Sequence, residues 1–84
     1  MTRAEVYALI DIERARQQSK WDGPHPWGSG DCSSPHVDQS VKAAVLAEEV
    51  GEVARAVLDI NPANLRSELV QVAAVAVAWL EGSK

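Results

Sequence analysis

Apolar residues recur at helical spacing in three stretches of the chain, and the stretch between the first two carries a different pattern. In the first, Val6, Leu9 and Ile10, with Ala8 beside them, mark one face of a helix over about 2–20. Thr2 and Glu5 stand at the spacing of a capping box, a signature of a helix N-terminus. From Glu13 to Lys20 the segment is almost wholly polar, so its second half must face solvent or line something polar.

A second helix is expected over about 38–59, with Asp38 as a candidate N-cap. Leu46, Val50, Val53, Val57 and Ile60 recur at alternating spacings of 4 and 3, a seam suited to packing against another helix. "NPAN" then interrupts the chain: Asn61 can cap, and Pro62 suits the first position of a helix. The third helix is expected over about 63–81, with Leu65, Leu69, Val72, Ala76 and Leu80 as its buried row and Gly82 closing it. A connection this short predicts an antiparallel helical hairpin.

Residues 21–37, "WDGPHPWGSGDCSSPHV", hold three Pro, three Gly and three Ser, a composition that neither helix nor strand tolerates. The segment reads as a loop. Loops longer than about 12 to 15 residues tend to be lids or binding loops, and two Trp and two His make this one more than a tether. The expected architecture is thus a single all-α domain over residues 1–84: helix, long loop, then hairpin.

Composition narrows what that domain can be. With 84 residues, no Phe, one Tyr and one Met, its apolar content is mostly Ala, Val and Leu. A chain of this length buries only about 60% of the surface its unfolded form exposes. Its core must be thin, and pairing with a second copy into a four-helix bundle would thicken it. The net charge of −4 offers no broad basic surface for a nucleic-acid backbone. Cys32 stands alone, so no internal disulfide is expected, and it shares its loop with His25 and His36 without a fourth ligand for zinc. No apolar run approaches the roughly 20 residues of a membrane span, and the charged start is unlike a signal peptide. The expectation is a soluble, cytoplasmic protein with no membrane partner.

Against this background the acidic residues of the second helix stand out. At about 100° per residue, Lys42, Val45, Glu49, Glu52 and Ala56 fall in one stripe beside the aliphatic seam, while Glu48 lies further round. On the third helix Glu68 flanks the apolar row, followed on that side by Gln71, Val75 and Trp79. In an antiparallel hairpin Glu52 and Glu68 stand at comparable distances from the turn. Carboxylates crowded together raise one another's pKa unless a cation neutralises them, and oxygen-only ligands suit Mg²⁺ or Mn²⁺. A solvated, Glu-rich helix face explains the same letters, and both readings stand at this point.

"EEVGE" followed by "SELVQ", with "ERARQQSKW" and a Pro/Gly/His loop upstream, resembles the EExxE and ExxD pattern of the MazG-like all-α nucleoside triphosphate pyrophosphohydrolases, in their short phage and prophage form. The resemblance implies hydrolysis of a nucleoside triphosphate to the monophosphate and pyrophosphate with Mg²⁺, or Mn²⁺, and assembly as a homodimer or homotetramer. It implies Glu49, Glu52 and Glu68 as metal ligands. The fourth position, acidic in the family, is Gln71 here, which supplies an oxygen but no charge. Glu48 or Glu52 would take the proton of the attacking water.

For the substrate, Lys42 is placed to meet a phosphate oxygen or to be an ordinary solvated lysine. Trp21 and Trp27 can stack on a base or plug the small core, and His25 or His36 can hydrogen-bond to base or phosphate. Gln17, Lys20 and Arg16 either cover the substrate or end a solvated helix. Trp79 reads as core or subunit interface. The competing expectation, which Gln71 favours, is a catalytically weak dimeric module that binds a nucleotide or a protein.

Overall fold

A computed structural model describes residues 1–83. Its elements are α1 (Arg3–Lys20), a two-stranded antiparallel ribbon of β1 (Pro24–His25) and β2 (Gly28–Ser29), α2 (Gln39–Leu58) and α3 (Pro62–Glu81). No described helix is long and apolar enough to cross a membrane.

Local chemistry accounts for the helix ends. Thr2 Oγ1 accepts the Glu5 amide at 3.2 Å while the Glu5 carboxylate accepts the Thr2 amide at 3.0 Å, which closes the capping box. Asn61 caps α3 by accepting the Asn64 amide at 3.1 Å, with Pro62 in the first turn. Asp38 does occupy the N-cap position of α2, but its side chain makes no capping bond.

α2 ends in a Schellman motif: the Ile60 amide donates to Val57 O and the Asn61 amide to Ala56 O. This motif wants a left-handed residue, and Ile60 takes it at φ 50° although it is β-branched and exposed. Ile60→Gly is therefore expected to raise unfolding stability by roughly 1 kcal/mol, read as a higher thermal midpoint.

α2 and α3 form the antiparallel hairpin, with Trp79 near the end of α3 donating its indole N–H to Gln39 at the start of α2. α1 packs on α3. Val6, Leu9 and Ile10 share an apolar groove with Leu65, Leu69, Val70 and Ala73, so these two helices run in the same sense.

The buried apolar side chains are small: Val37, Ala56, Ala74, Val75 and Ala78. This overturns the expected seam. Leu46 and Val53 are half-buried, but Val50 and Val57 remain 51% and 56% exposed, and Ile60, Leu69 and Leu80 also face outward. The covered positions are instead Lys42, Val45, Glu49 and Ala56 on α2 and Gln71, Ala74, Val75 and Ala78 on α3, the helix that packs against both α1 and α2. Alanines let two backbones approach closely, and that approach rotates the larger aliphatics to the flanks. A single partner helix cannot cover the whole apolar arc of α2.

The loop also departs from expectation, because it contains the ribbon. Pro24 pairs with Ser29 and His25 with Gly28, and Gly28 bridges on to Val37. Gly28 makes the close approach possible: at φ 140° its backbone lies so near His36 that a Cβ would collide with the His36 carbonyl oxygen. The segment is anchored from α1. Arg14, buried, donates to Asp31 at 2.7 Å and by two bonds of 3.0 Å to Glu81 at the end of α3.

Candidate functional site

The acidic stripe of α2 borders the packed face, and of its carboxylates only that of Glu49 is held where water is scarce. Glu49 and Glu68 are half-buried, and the Oε2 atom of each is fully buried without a hydrogen-bond partner. Burial above all, and then the charges of Glu68, Glu48, Glu52 and Glu13, push the Glu49 carboxyl above its ordinary value of 4.5. Buried polar atoms in folded proteins are ordinarily satisfied, and two orphaned carboxylate oxygens facing like charge are a costly arrangement for a protein alone. Hard divalent cations take such a donor set.

The remaining residues of the expected ligand set are drawn in only in part. Glu52 and Glu48 are exposed on α2, near enough to act on Glu49, and Gln71 is half-buried on α3 one turn beyond Glu68. Among the described residues, no three His, Cys, Asp or Glu side chains are gathered closely enough to hold a metal ion. The donors that fit a cation are thus the Glu49 and Glu68 pair, with Glu52 and Gln71 at its edge.

Helix α1 closes this region, and here the polar half of the helix finds its explanation. Gln17 is buried and points its Nε2 at the Gln71 carbonyl, a long contact of 3.5 Å. Glu13, one turn earlier on the same face, was not among the residues singled out by sequence. It accepts bonds of 2.8 and 3.1 Å from Arg16 Nε and one of 2.7 Å from Arg16 Nη2. These bonds hold its carboxyl below the ordinary range, while Arg16, raised in turn mainly by Glu13, also feels the charge of Glu49. In the sequence it opens the "ERARQQSKW" stretch and stands at i,i+4 from Gln17.

Lys42 is 4% exposed, which removes the solvated reading. It lies on the inner face of α2, two turns before Glu49, and none of the ion pairs among the described residues includes it. Its ammonium is close enough to Cys32 to favour the thiolate, yet burial foremost, and then Asp31, keep that thiol above its ordinary value.

The loop presents an aromatic cluster. The Trp21 ring lies 5.4 Å from His25 and 6.2 Å from Trp27, each edge-on, and Lys20 Nζ sits 5.5 Å over Trp21. His25 Nε2 is 2.7 Å from the Gly30 carbonyl, which only accepts, so that nitrogen carries the proton. His25 Nδ1 accepts the Trp27 amide at 3.2 Å. Trp27 and His36 are exposed, whereas Trp21 and Trp79 are half-buried.

The chain was compared with family models, curated proteins and solved structures, and none matches it. What can be said of its chemistry rests on the residues themselves.

Proposed function

We propose that this chain is a MazG-like nucleoside triphosphate pyrophosphohydrolase that converts a (d)NTP and water to the monophosphate and pyrophosphate. The observation that carries the reading is the pair of buried, unbonded oxygens of Glu49 and Glu68 on the facing sides of α2 and α3. Glu49 and Glu68 would hold Mg²⁺ or Mn²⁺, with Glu52 and Gln71 completing the protein's share. A cation bound there supplies charge stabilisation to the phosphate oxygens and a polarised water. Glu48 and Glu52, exposed one turn apart, can accept the proton of that water. Trp27 offers an open ring face to a base, supported from behind by Trp21 and His25. Lys42 adds a buried positive charge on the stripe that leads to Glu49, a match for polyphosphate.

Assembly belongs to the same proposal. Val50, Val57, Leu58, Leu69 and Leu80 leave the flanks of the hairpin apolar, and pairing two hairpins would cover them as a four-helix bundle. The alternative, a weakly catalytic nucleotide- or protein-binding module, is favoured by Gln71 and by the incomplete gathering of carboxylates.

One experiment separates the two. A panel of (d)NTPs is incubated with Mg²⁺ or Mn²⁺ and scored for pyrophosphate against orthophosphate. The proposal expects pyrophosphate alone, lost on adding EDTA. Nucleotide-dependent thermal stabilisation with no turnover would establish the alternative, and orthophosphate as the product would overturn the reaction assigned here.

A further inference from the structure

Both ring nitrogens of His25 are engaged inside the loop, and in opposite senses. We infer that His25 is a proton-operated latch for the Trp27 indole: the neutral ring holds Trp27 in the aromatic cluster, and the protonated ring releases it.

The two bonds fix the tautomer. Nε2 lies 2.7 Å from the Gly30 carbonyl, which only accepts, so Nε2 keeps its hydrogen. Nδ1 accepts the Trp27 amide hydrogen at 3.2 Å with its lone pair. An imidazole can do both only while neutral. A second proton has one place to go, Nδ1, and there it turns the acceptor into a donor that faces another donor. The bond to Gly30 strengthens with the charge, so the ring stays on Gly30 and gives up Trp27.

The effect is confined to the tip of the ribbon. Below it the Gly30 amide donates to the Gly23 carbonyl at 3.0 Å and the Ser29 amide to the His36 carbonyl at 3.2 Å, bonds in which the His25 ring has no part. Trp27 is 58% exposed, with its ring 6.1 Å from His25 and 6.2 Å from Trp21, so little burial holds the indole once the amide is free. The charged groups of this region do not replace the lost bond. Lys20, at the end of α1, already places a like charge over the Trp21 ring, Asp31 is engaged by Arg14 and Ser33, and Asp22 is exposed. None of the ion pairs among the described residues includes His25. His36, the other histidine of the loop, is exposed and meets Ser29 through its backbone carbonyl.

The latch does not depend on any reaction at the carboxylates, and nuclear magnetic resonance of the free, isotope-labelled chain tests it as the pH falls from about 8 to about 5, the range in which histidine changes charge. The His25 Nδ1 and Trp27 amide signals are expected to move together with one midpoint, while contacts between the Trp27 and Trp21 rings are lost. His25→Asn puts an oxygen that cannot titrate where Nδ1 stands, so its Trp27 amide should stay bonded throughout. At the acid end the Trp27 amide of the parent is expected to exchange with water roughly tenfold faster than that of His25→Asn, the worth of one hydrogen bond. The same acid change in His25→Asn, or its disappearance in His36→Gln, would put the switch on another group and overturn the inference. So would a Trp27 that stays in place while His25 takes its proton, or a His25 ring still neutral at about pH 5. Should His25→Asn lose the ribbon along with the Gly30 bond, the shared midpoint in the parent decides.

Discussion

Glu49→Gln is expected to suppress pyrophosphate release about a thousandfold while making the folded chain more stable. The first effect follows from the role proposed for the cation, since several kcal/mol of charge stabilisation in the transition state depend on holding it. The second follows from the protein without any ligand. The Glu49 carboxyl is raised by burial and then by Glu68, Glu48, Glu52 and Glu13. A group whose folded-state value is raised binds its proton more tightly when folded. Its contribution to stability is complete below the unfolded value near 4.5 and is lost as pH rises through the folded one. At neutral pH the ionised Glu49 therefore opposes folding, and Gln, which keeps the shape without the charge, removes the opposition. Thermal unfolding in EDTA checks this: the variant should melt above the parent at pH 7 to 8, and the two should converge as the pH approaches about 4. A variant that melts with the parent at every pH would mean that Glu49 is an ordinary solvated glutamate.

Arg14→Leu is expected to destabilise the chain by about 3 kcal/mol, a large share of what a domain this small possesses. Arg14 is buried between Asp31, also buried, and Glu81, whose side chain is 51% exposed. Losing the guanidinium leaves Glu81 in water at little cost, but it strands Asp31 with only the Ser33 amide and hydroxyl. Burial by itself pushes the Asp31 carboxyl up. The Ser33 bonds and then Arg14 outweigh that and bring it below its ordinary value of 3.8. Its contribution is thus present above the unfolded value and lost in acid, opposite in sign to that of Glu49. Denaturant titration measures the loss, and Arg14→Leu combined with Asp31→Asn should recover part of it, because the stranded charge is then gone. A loss under about 1 kcal/mol would show that the clamp does not hold the loop.

The helices themselves were legible in the sequence because their ends are written in local chemistry. Thr2 with Glu5 and Asn61 with Pro62 act within four residues, and the observed bounds lie within a residue or so of those expected. What periodicity left undecided was which edge of a broad apolar arc faces the neighbour. The row of Leu46, Val50, Val53 and Val57 looks like a packing seam, yet the fully buried positions of α2, Lys42 and Ala56, belong to the stripe beside it. The difference is set by how closely α3 can approach, and α3 is a separate stretch of sequence. Glu13 was missed for the same reason: Glu49, on which its charge acts, lies far along the chain. The ribbon in the loop was hidden because two-residue strands need no β-forming side chains when Gly28 lets the backbones meet.

The alanines on the inner stripes have a consequence of their own. Ala56, Ala74 and Ala78 are buried and thinner than any other chiral residue, so they fix how closely α3 and its neighbours approach. A larger side chain at any of them would spread the helices by an amount the fold can absorb by sliding, but two carboxylates proposed to share one ion tolerate far less. Residues with no chemistry of their own thereby become the calipers of the proposed site, and if the proposal holds, damage there registers as lost affinity for a cation before it registers as a lost fold.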